Sequence, residues 1–139
     1  MRLFIDSSAL AKRYIRECGS DQVLAHCAEA DEIILSVLAV PEVMSGLNRL
    51  RREHSLSEDM YLQAKGSLAA DVAGATVVGL TPAIVGKAVS CLESATLRAP
   101  DAIHVASALE CQADLFLSAD LRQCKAARAM GLKVEQVPV

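Results

Sequence analysis

Aromatic residues are scarce in this sequence. Trp is absent, and only two Phe and two Tyr occur among 139 residues. Proteins that read single-stranded RNA through OB-folds or RRM sheets stack bases on aromatic side chains, so that kind of reader is not expected here. Hydrophobic residues make up 53% of the chain, and Ala, Leu and Val dominate them, which predicts a core of aliphatic side chains.

Long apolar runs and paired cysteines are missing as well. No stretch approaches the roughly 18 apolar residues of a membrane-spanning helix, and the first residues lack the apolar segment of a signal peptide. The five Cys form no CxxC pair and are interpreted as small apolar residues in a reducing cytosol. We therefore expect a cytoplasmic protein without a membrane partner, folded as a single domain over residues 1–139.

Acidic residues outnumber basic ones, and the formal net charge is -3 at pH 7. Nucleic-acid binders that rely on electrostatics alone are basic. If this chain acts on nucleic acid, bound divalent cations are the simplest way to offset its acidity locally.

Short apolar runs alternate with helical patterns along the chain. Strands are predicted at residues 2–5, 32–35, 76–80, 114–117 and 133–137. The helix after the first strand is expected to be capped by Ser7 or Ser8 and to continue to about residue 16. The alternation predicts a three-layer α/β/α sandwich with a mostly parallel central sheet of four to five strands.

Four acids lie where strands end or helices begin. Asp6 directly follows the first strand, and Asp120 follows the fourth. Glu42 and Asp101 each come directly after a Pro in the first turn of a helix. One acid at a helix start is explained by the helix dipole, worth about 0.3–1 kcal/mol. Ligands of open α/β sheets bind beyond the carboxyl ends of the strands, so the four together suggest a single pocket.

An acidic pocket of this kind requires neutralisation. Two unit charges 4 Å apart repel by about 4 kcal/mol at an effective dielectric constant near 20. Oxygen ligands favour Mg²⁺ or Mn²⁺, whereas zinc favours His or Cys at ligand spacing, which the chain lacks. Such an ion activates water for phosphodiester hydrolysis, and no Ser, Cys or His nucleophile is then needed.

Four segments resemble, in order, the motifs of the PIN domain and, within it, the VapC-type toxins of type II toxin–antitoxin pairs. LFIDSSALAKRY resembles the first motif, with Asp6 as its acid and Ser8 beside it. SVLAVPEVMSGLNRL resembles the second, with Glu42 as its acid. LRAPDAIHVASAL resembles the third, with Asp101 and His104 in its Asp-x-x-His pattern.

The segment FLSADLRQCKAARAMGLKV resembles the last motif of the family. Asp120 is its acid, the fourth of the set, and Ser118 stands where Thr is frequent. The resemblance spans essentially the whole chain and implies a Mg²⁺- or Mn²⁺-dependent endoribonuclease that hydrolyses RNA. It implies an antitoxin partner and a homodimer as well. The four acids are implied to be both catalytic and metal-binding, with support from Ser8, His104 and Ser118.

Two groups of cations have more than one interpretation. Lys12, Arg13 and Arg16 follow the Asp6 turn, and for them an RNA contact and a purely structural role are equally open. The cations from Arg49 to His54 are interpreted as the solvated end of a helix, where they complement its dipole.

Two other functions compete with the nuclease. One is a PIN-like module that binds RNA or protein without cleaving it. The other is a phosphotransfer domain, which needs paired acids after the first strand and a Lys after the last. Asp6 is a single acid, and Lys133 precedes the last strand, so this pattern is poorly matched.

Overall fold

Five strands and seven helices alternate along the chain in the computed structural model, which describes residues 1–139. The strands are β1 (Arg2–Ile5), β2 (Glu32–Ser36), β3 (Thr76–Val78), β4 (Leu115–Ser118) and β5 (Val134–Gln136). The helices are α1 (Ser7–Leu10), α2 (Ser20–Glu29), α3 (Ala39–Arg52), α4 (Glu58–Gly74), α5 (Pro82–Ser94), α6 (Ala99–Glu110) and α7 (Leu121–Ala129). None of them combines the length and the apolar composition needed to cross a bilayer.

All five strands form one parallel sheet in the order β3-β2-β1-β4-β5. Each connection between consecutive strands contains helix, as parallel pairing requires. The predicted three-layer α/β/α architecture is confirmed, with five strands in the sheet.

Side chains that alternate along the strands divide the core into two parts. Leu3 and Ile5 of β1 face a buried cluster built with α1, α2, α3 and α4. Phe4, between them, faces a second cluster built with α5, α6 and α7. Its ring stacks on Phe116 of β4, with centroids 5.5 Å apart and planes within 4°. The sheet is therefore covered on both faces, as its apolar strands require.

The change of face occurs between β1 and β4. The connections from β1 to β3 carry the helices of one face, and the connections from β3 to β5 carry those of the other. Ile5 pairs with Leu117, so the residues that follow these two strands meet at one edge of the sheet. This topological switch point is where open α/β sheets form crevices for ligands.

The prediction of one helix from the first strand to residue 16 is wrong. Helix α1 ends at Leu10 and continues only as a 3₁₀ turn, Ala11–Arg13. Its N-cap is Asp6, whose side chain accepts a hydrogen bond from the amide of Ala9, and not Ser7 or Ser8. Because Asp6 already satisfies that amide, the Ser7 hydroxyl is free to bind Glu42 and the Ser8 hydroxyl to bind Asp6.

Candidate active site

Asp6 is fully buried at the carboxyl end of β1. Its Oδ1 accepts hydrogen bonds from Ser8 Oγ at 2.7 Å and from the Ala9 amide at 2.9 Å. Its Oδ2 accepts one from Ser118 Oγ at 2.6 Å. Burial raises the pKa of Asp6, although these hydrogen bonds oppose the shift by favouring the charged form. The carboxylate is thus held in one orientation from three sides.

Ser8 and Ser118 connect Asp6 to the loop after β4. Ser118 Oγ accepts a hydrogen bond from the Asp120 amide at 2.9 Å, and Ser8 Oγ accepts one from the Ala119 amide at 3.0 Å. The two predicted supporting serines therefore fix the first acid relative to the fourth.

Asp120 caps α7. Its Oδ1 accepts hydrogen bonds from the amides of Arg122 at 2.9 Å and Gln123 at 3.1 Å. Capping uses one carboxylate oxygen and leaves Oδ2 without a hydrogen-bond donor in the fold. Asp120 can therefore cap α7 with one carboxylate oxygen and still offer the other to a ligand.

Glu42 and His104 form a pair across α3 and α6. Their Oε1 and Nε2 atoms are 2.5 Å apart, and Ser7 donates a 2.8 Å hydrogen bond to the same Oε1. The hydrogen bond with His104 lowers the pKa of Glu42. The His104 ring is 1% exposed and packs edge-on against Phe4, and its buried Nδ1 has no hydrogen-bond partner.

Asp101, one turn before His104 on α6, is 7% exposed. Gln123 Nε2 donates a 3.0 Å hydrogen bond to its Oδ1, and Arg98 Nε lies 3.7 Å from its Oδ2. Burial raises the pKa of Asp101, and the nearby carboxylates of Asp120 and Glu42 raise it further. A protein environment with this effect favours a bound proton or a bound cation.

The third and fourth acids line one cavity of about 420 Å³ at the sheet edge, with Arg98 and Arg122 beside them. Glu42 lines a different cavity, of about 210 Å³, together with Ser7. No three His, Cys, Asp or Glu side chains lie close enough together to hold a metal ion. The structure thus brings Asp101 and Asp120 to a shared space, holds Asp6 behind them, and turns Glu42 towards His104.

Sequence reasoning missed two residues of this site. Ser7 was considered a helix cap, yet it binds Glu42 and lies 3.2 Å from His104 Nε2. Gln123 is 4% exposed and its Oε1 has no hydrogen-bond partner. The sequence offered one signal for Gln123. It is a polar residue within a stripe of α7 whose other side chains are small and apolar, and a polar group buried there needs a partner.

The cations that follow Asp6 are engaged within the fold. Arg13 binds Asp71 through two nitrogens, at 3.0 and 3.2 Å. Lys12 is buried and donates to the Cys18 carbonyl at 2.7 Å, and Arg16 pairs with Asp21 at 2.7 Å. The structure therefore favours the structural role for Lys12 and Arg13, whereas Arg16 and Asp21 are both exposed and their pairing favours neither role.

Known proteins resemble this chain in sequence and in fold. The PIN domain family model matches residues 3–129. "Ribonuclease VapC45" of Mycobacterium tuberculosis is 33% identical over 107 residues, which are 77% of this chain and 74% of that protein. The crystal structure of Mycobacterium tuberculosis VapC20, a sarcin-ricin loop cleaving toxin, superposes with a TM-score of 0.70 at 16% identity, over 94% of this chain and 95% of that one. A toxin–antitoxin complex from Klebsiella pneumoniae superposes with a TM-score of 0.65 at 16% identity, over 87% of this chain and 88% of that one.

Proposed function

The chain belongs to the PIN domain family, and from this membership we propose that it is a Mg²⁺- or Mn²⁺-dependent endoribonuclease. The observation that carries the proposal is the pair of acids, Asp101 and Asp120, that line one cavity at the switch point of the sheet. The 33% identical relative is named as a ribonuclease, which supports RNA as the substrate.

The residues present fit a magnesium-type ion. All four predicted ligands are carboxylates, the donors that hard divalent cations prefer. Mg²⁺ usually keeps several waters and takes only one or two protein carboxylates, so Asp101 and Asp120 are a sufficient pair even without a tighter cluster. When bound, such an ion supplies a water of lowered pKa and neutralises charge on the phosphate.

The chain's own residues perform the positioning. Asp101 and Asp120 present oxygens to the cavity, while Gln123 and the amides of α7 hold the other oxygens of these two acids. Asp6 is fixed behind them by Ser8 and Ser118 and adds negative charge at a set distance from the site. We propose that it acts on the reaction as a ligand or through ordered water.

Glu42 and His104 have a role that follows from their pairing. In the absence of substrate, the hydrogen bond holds Glu42 against His104. The His104 ring cannot move far, because it is buried against Phe4. We propose that Glu42 is the mobile member of the acid set and that His104 determines where it rests.

We further propose an antitoxin partner and a homodimer. A structural neighbour is a toxin–antitoxin complex, which supports the first of these associations. An apolar groove of about 410 Å³ between α3 and α4, lined by Met44, Leu68 and Val72 among others, offers a seat for an amphipathic helix. Val85, Val89 and Leu92 are exposed on α5 and offer an apolar surface for a second copy.

The test is cleavage of structured RNA by the purified protein, with Mg²⁺, with Mn²⁺ and with a chelator. Asp6→Asn and Asp101→Asn variants are the comparison, and Glu135→Gln, an exposed acid on β5, is the matched control. We expect cleavage that needs the metal, is lost in both Asn variants and persists in the control. RNA that is bound but never cut would instead support the non-cleaving PIN-like module.

A further inference from the structure

A second cavity adjoins the acidic one. Its volume is about 630 Å³, and it lies between the segment 92–96, which ends α5, and one face of α7. Arg122 and Lys125 line it from α7. The small side chains of Ala126 and Ala129, on the same helix face, leave the space open.

Arg122 lines both cavities, because it also borders the one that holds Asp101 and Asp120. The two spaces are therefore neighbours along the first turn of α7. A strand whose reacting phosphate lay at Asp120 would continue directly past Arg122 towards Lys125.

Two cations that form no ion pair lie side by side in this lining. Ion pairs engage Arg2, Lys12, Arg13, Arg16, Arg51, Lys87 and Arg98, whereas Arg49, Arg52, Lys65, Arg128 and Lys133 are unpaired outside the cavity. Arg122 and Lys125 are exposed and belong to none of these pairs. Helix α7 carries three basic residues and no acidic one within Leu121–Ala129.

The chemistry of the lining suits a phosphodiester backbone. Two cations on one helix face attract successive phosphates, and the hydroxyls of Ser94 and Thr96 across the cavity are neutral hydrogen-bond donors. Glu93 is the one acid in the lining, and it lies on the side opposite the two cations. The electrostatic attraction for an RNA phosphate therefore comes from the α7 side of the cavity.

We propose that Arg122, Lys125 and this cavity bind the phosphates of the RNA strand next to the bond cleaved at Asp101 and Asp120. The proposal rests on the proposed function and adds the path of the substrate. An RNA strand is the occupant, since the cavity shares Arg122 with the one lined by the acids to which the reacting phosphate must come.

The experiment measures binding of a labelled single-stranded RNA across a range of salt concentrations, in an Asp6→Asn background so that the RNA is not cut. The Arg122→Gln/Lys125→Gln pair is compared with Arg128→Gln/Lys133→Gln, which removes equal charge just outside the cavity. Each phosphate contact contributes about 0.7 to the slope of log K against log salt for single strands. We expect the cavity pair to reduce the slope by about 1.4 and the control pair to leave it nearly unchanged.

Equal effects of the two pairs would overturn the proposal, since general charge alone would then explain binding. Circular dichroism melting of each variant separates loss of binding from loss of fold. If wild type cleaves RNA and the cavity pair binds normally, the inference fails and the proposed function stands. If wild type neither cleaves nor binds RNA, both fail.

Discussion

Gln123 Nε2 lies 3.0 Å from Asp101 Oδ1, while the Oε1 of the same buried amide has no hydrogen-bond partner. Burying an unsatisfied carbonyl oxygen costs free energy, so this amide is not explained by stability alone. Its contact with Asp101 identifies Gln123 as a positioning residue for that acid.

The first prediction concerns Gln123→Leu. Leu fills a similar volume without the unpaired oxygen, so the melting temperature should stay the same or rise. The affinity for Mn²⁺, measured by calorimetry or electron paramagnetic resonance, should fall about tenfold, the usual cost of losing an outer hydrogen bond to a ligand. Gln63→Leu, at an exposed position of α4, is the control. A lower melting temperature with unchanged Mn²⁺ affinity would show that Gln123 is merely structural.

The second prediction concerns the pH dependence of Asp101 in metal-free protein. Because the fold raises its pKa, ionised Asp101 opposes folding, and the stability of the protonated form is lost as pH rises through the folded-state pKa. Asp101→Asn should therefore be more stable than wild type at pH 7. The difference should shrink as pH falls towards the ordinary value of 3.8, and below it both states bind the proton.

Urea denaturation across this pH range, in the presence of a chelator, measures the effect. Adding Mn²⁺ should stabilise wild type more than Asp101→Asn, since the ion binds only the folded site. An Asn variant less stable than wild type at pH 7 would contradict the prediction, because the contacts of ionised Asp101 with Gln123 and Arg98 would then outweigh the cost of burying its charge.

The third prediction concerns Ser118, which donates to Asp6 and accepts from the Asp120 amide while fully buried. Ser118→Ala leaves the Asp120 amide unpaired and removes one donor from Asp6, which keeps its hydrogen bonds from Ser8 and the Ala9 amide. It should reduce the free energy of unfolding by about 1–3 kcal/mol. Ser118→Thr keeps the hydroxyl and should recover most of the loss. Equal destabilisation by Ala and Thr in urea denaturation would indicate that volume, and not the hydroxyl, matters at this position.

The fourth prediction separates structural cations from those that bind RNA. Arg13→Ala removes a two-nitrogen contact to Asp71, which also accepts a 2.7 Å hydrogen bond from Tyr14. The free energy of unfolding should fall by roughly 1–2 kcal/mol, because the acid loses a partly buried partner. The salt dependence of RNA binding should not change. A smaller slope of log K against log salt in Arg13→Ala would instead indicate that Arg13 contacts RNA.

The sequence predicted the sheet well for a physical reason. Residues 3–5 and 33–35 are apolar throughout, and strands covered on both faces require that pattern. Asp6 and Asp120 were placed at one edge by the same logic, since Asp6 directly follows β1 and Asp120 lies two residues after β4, and the two strands pair at Ile5 and Leu117.

Contacts between segments that lie far apart in the chain could not be predicted from the sequence. The engagement of Arg13 depends on Asp71 in α4, and the interaction of Glu42 depends on His104 in α6. Neither partner is indicated by local spacing. Whether the four acids hold one ion is a prediction that stays open to the metal-binding experiments above.

The central claim is that RNA is hydrolysed by an activated water at a carboxylate site. The chemical ends of the RNA products test it most directly, with the reaction run in Mg²⁺ and in ¹⁸O-labelled water. Attack by water on the phosphate predicts a terminal phosphate that contains ¹⁸O and no 2′,3′-cyclic phosphate. A cyclic phosphate that forms equally well with a chelator present would contradict the account, because the neighbouring 2′-hydroxyl would then be the nucleophile, with Glu42 and His104 as its acid and base.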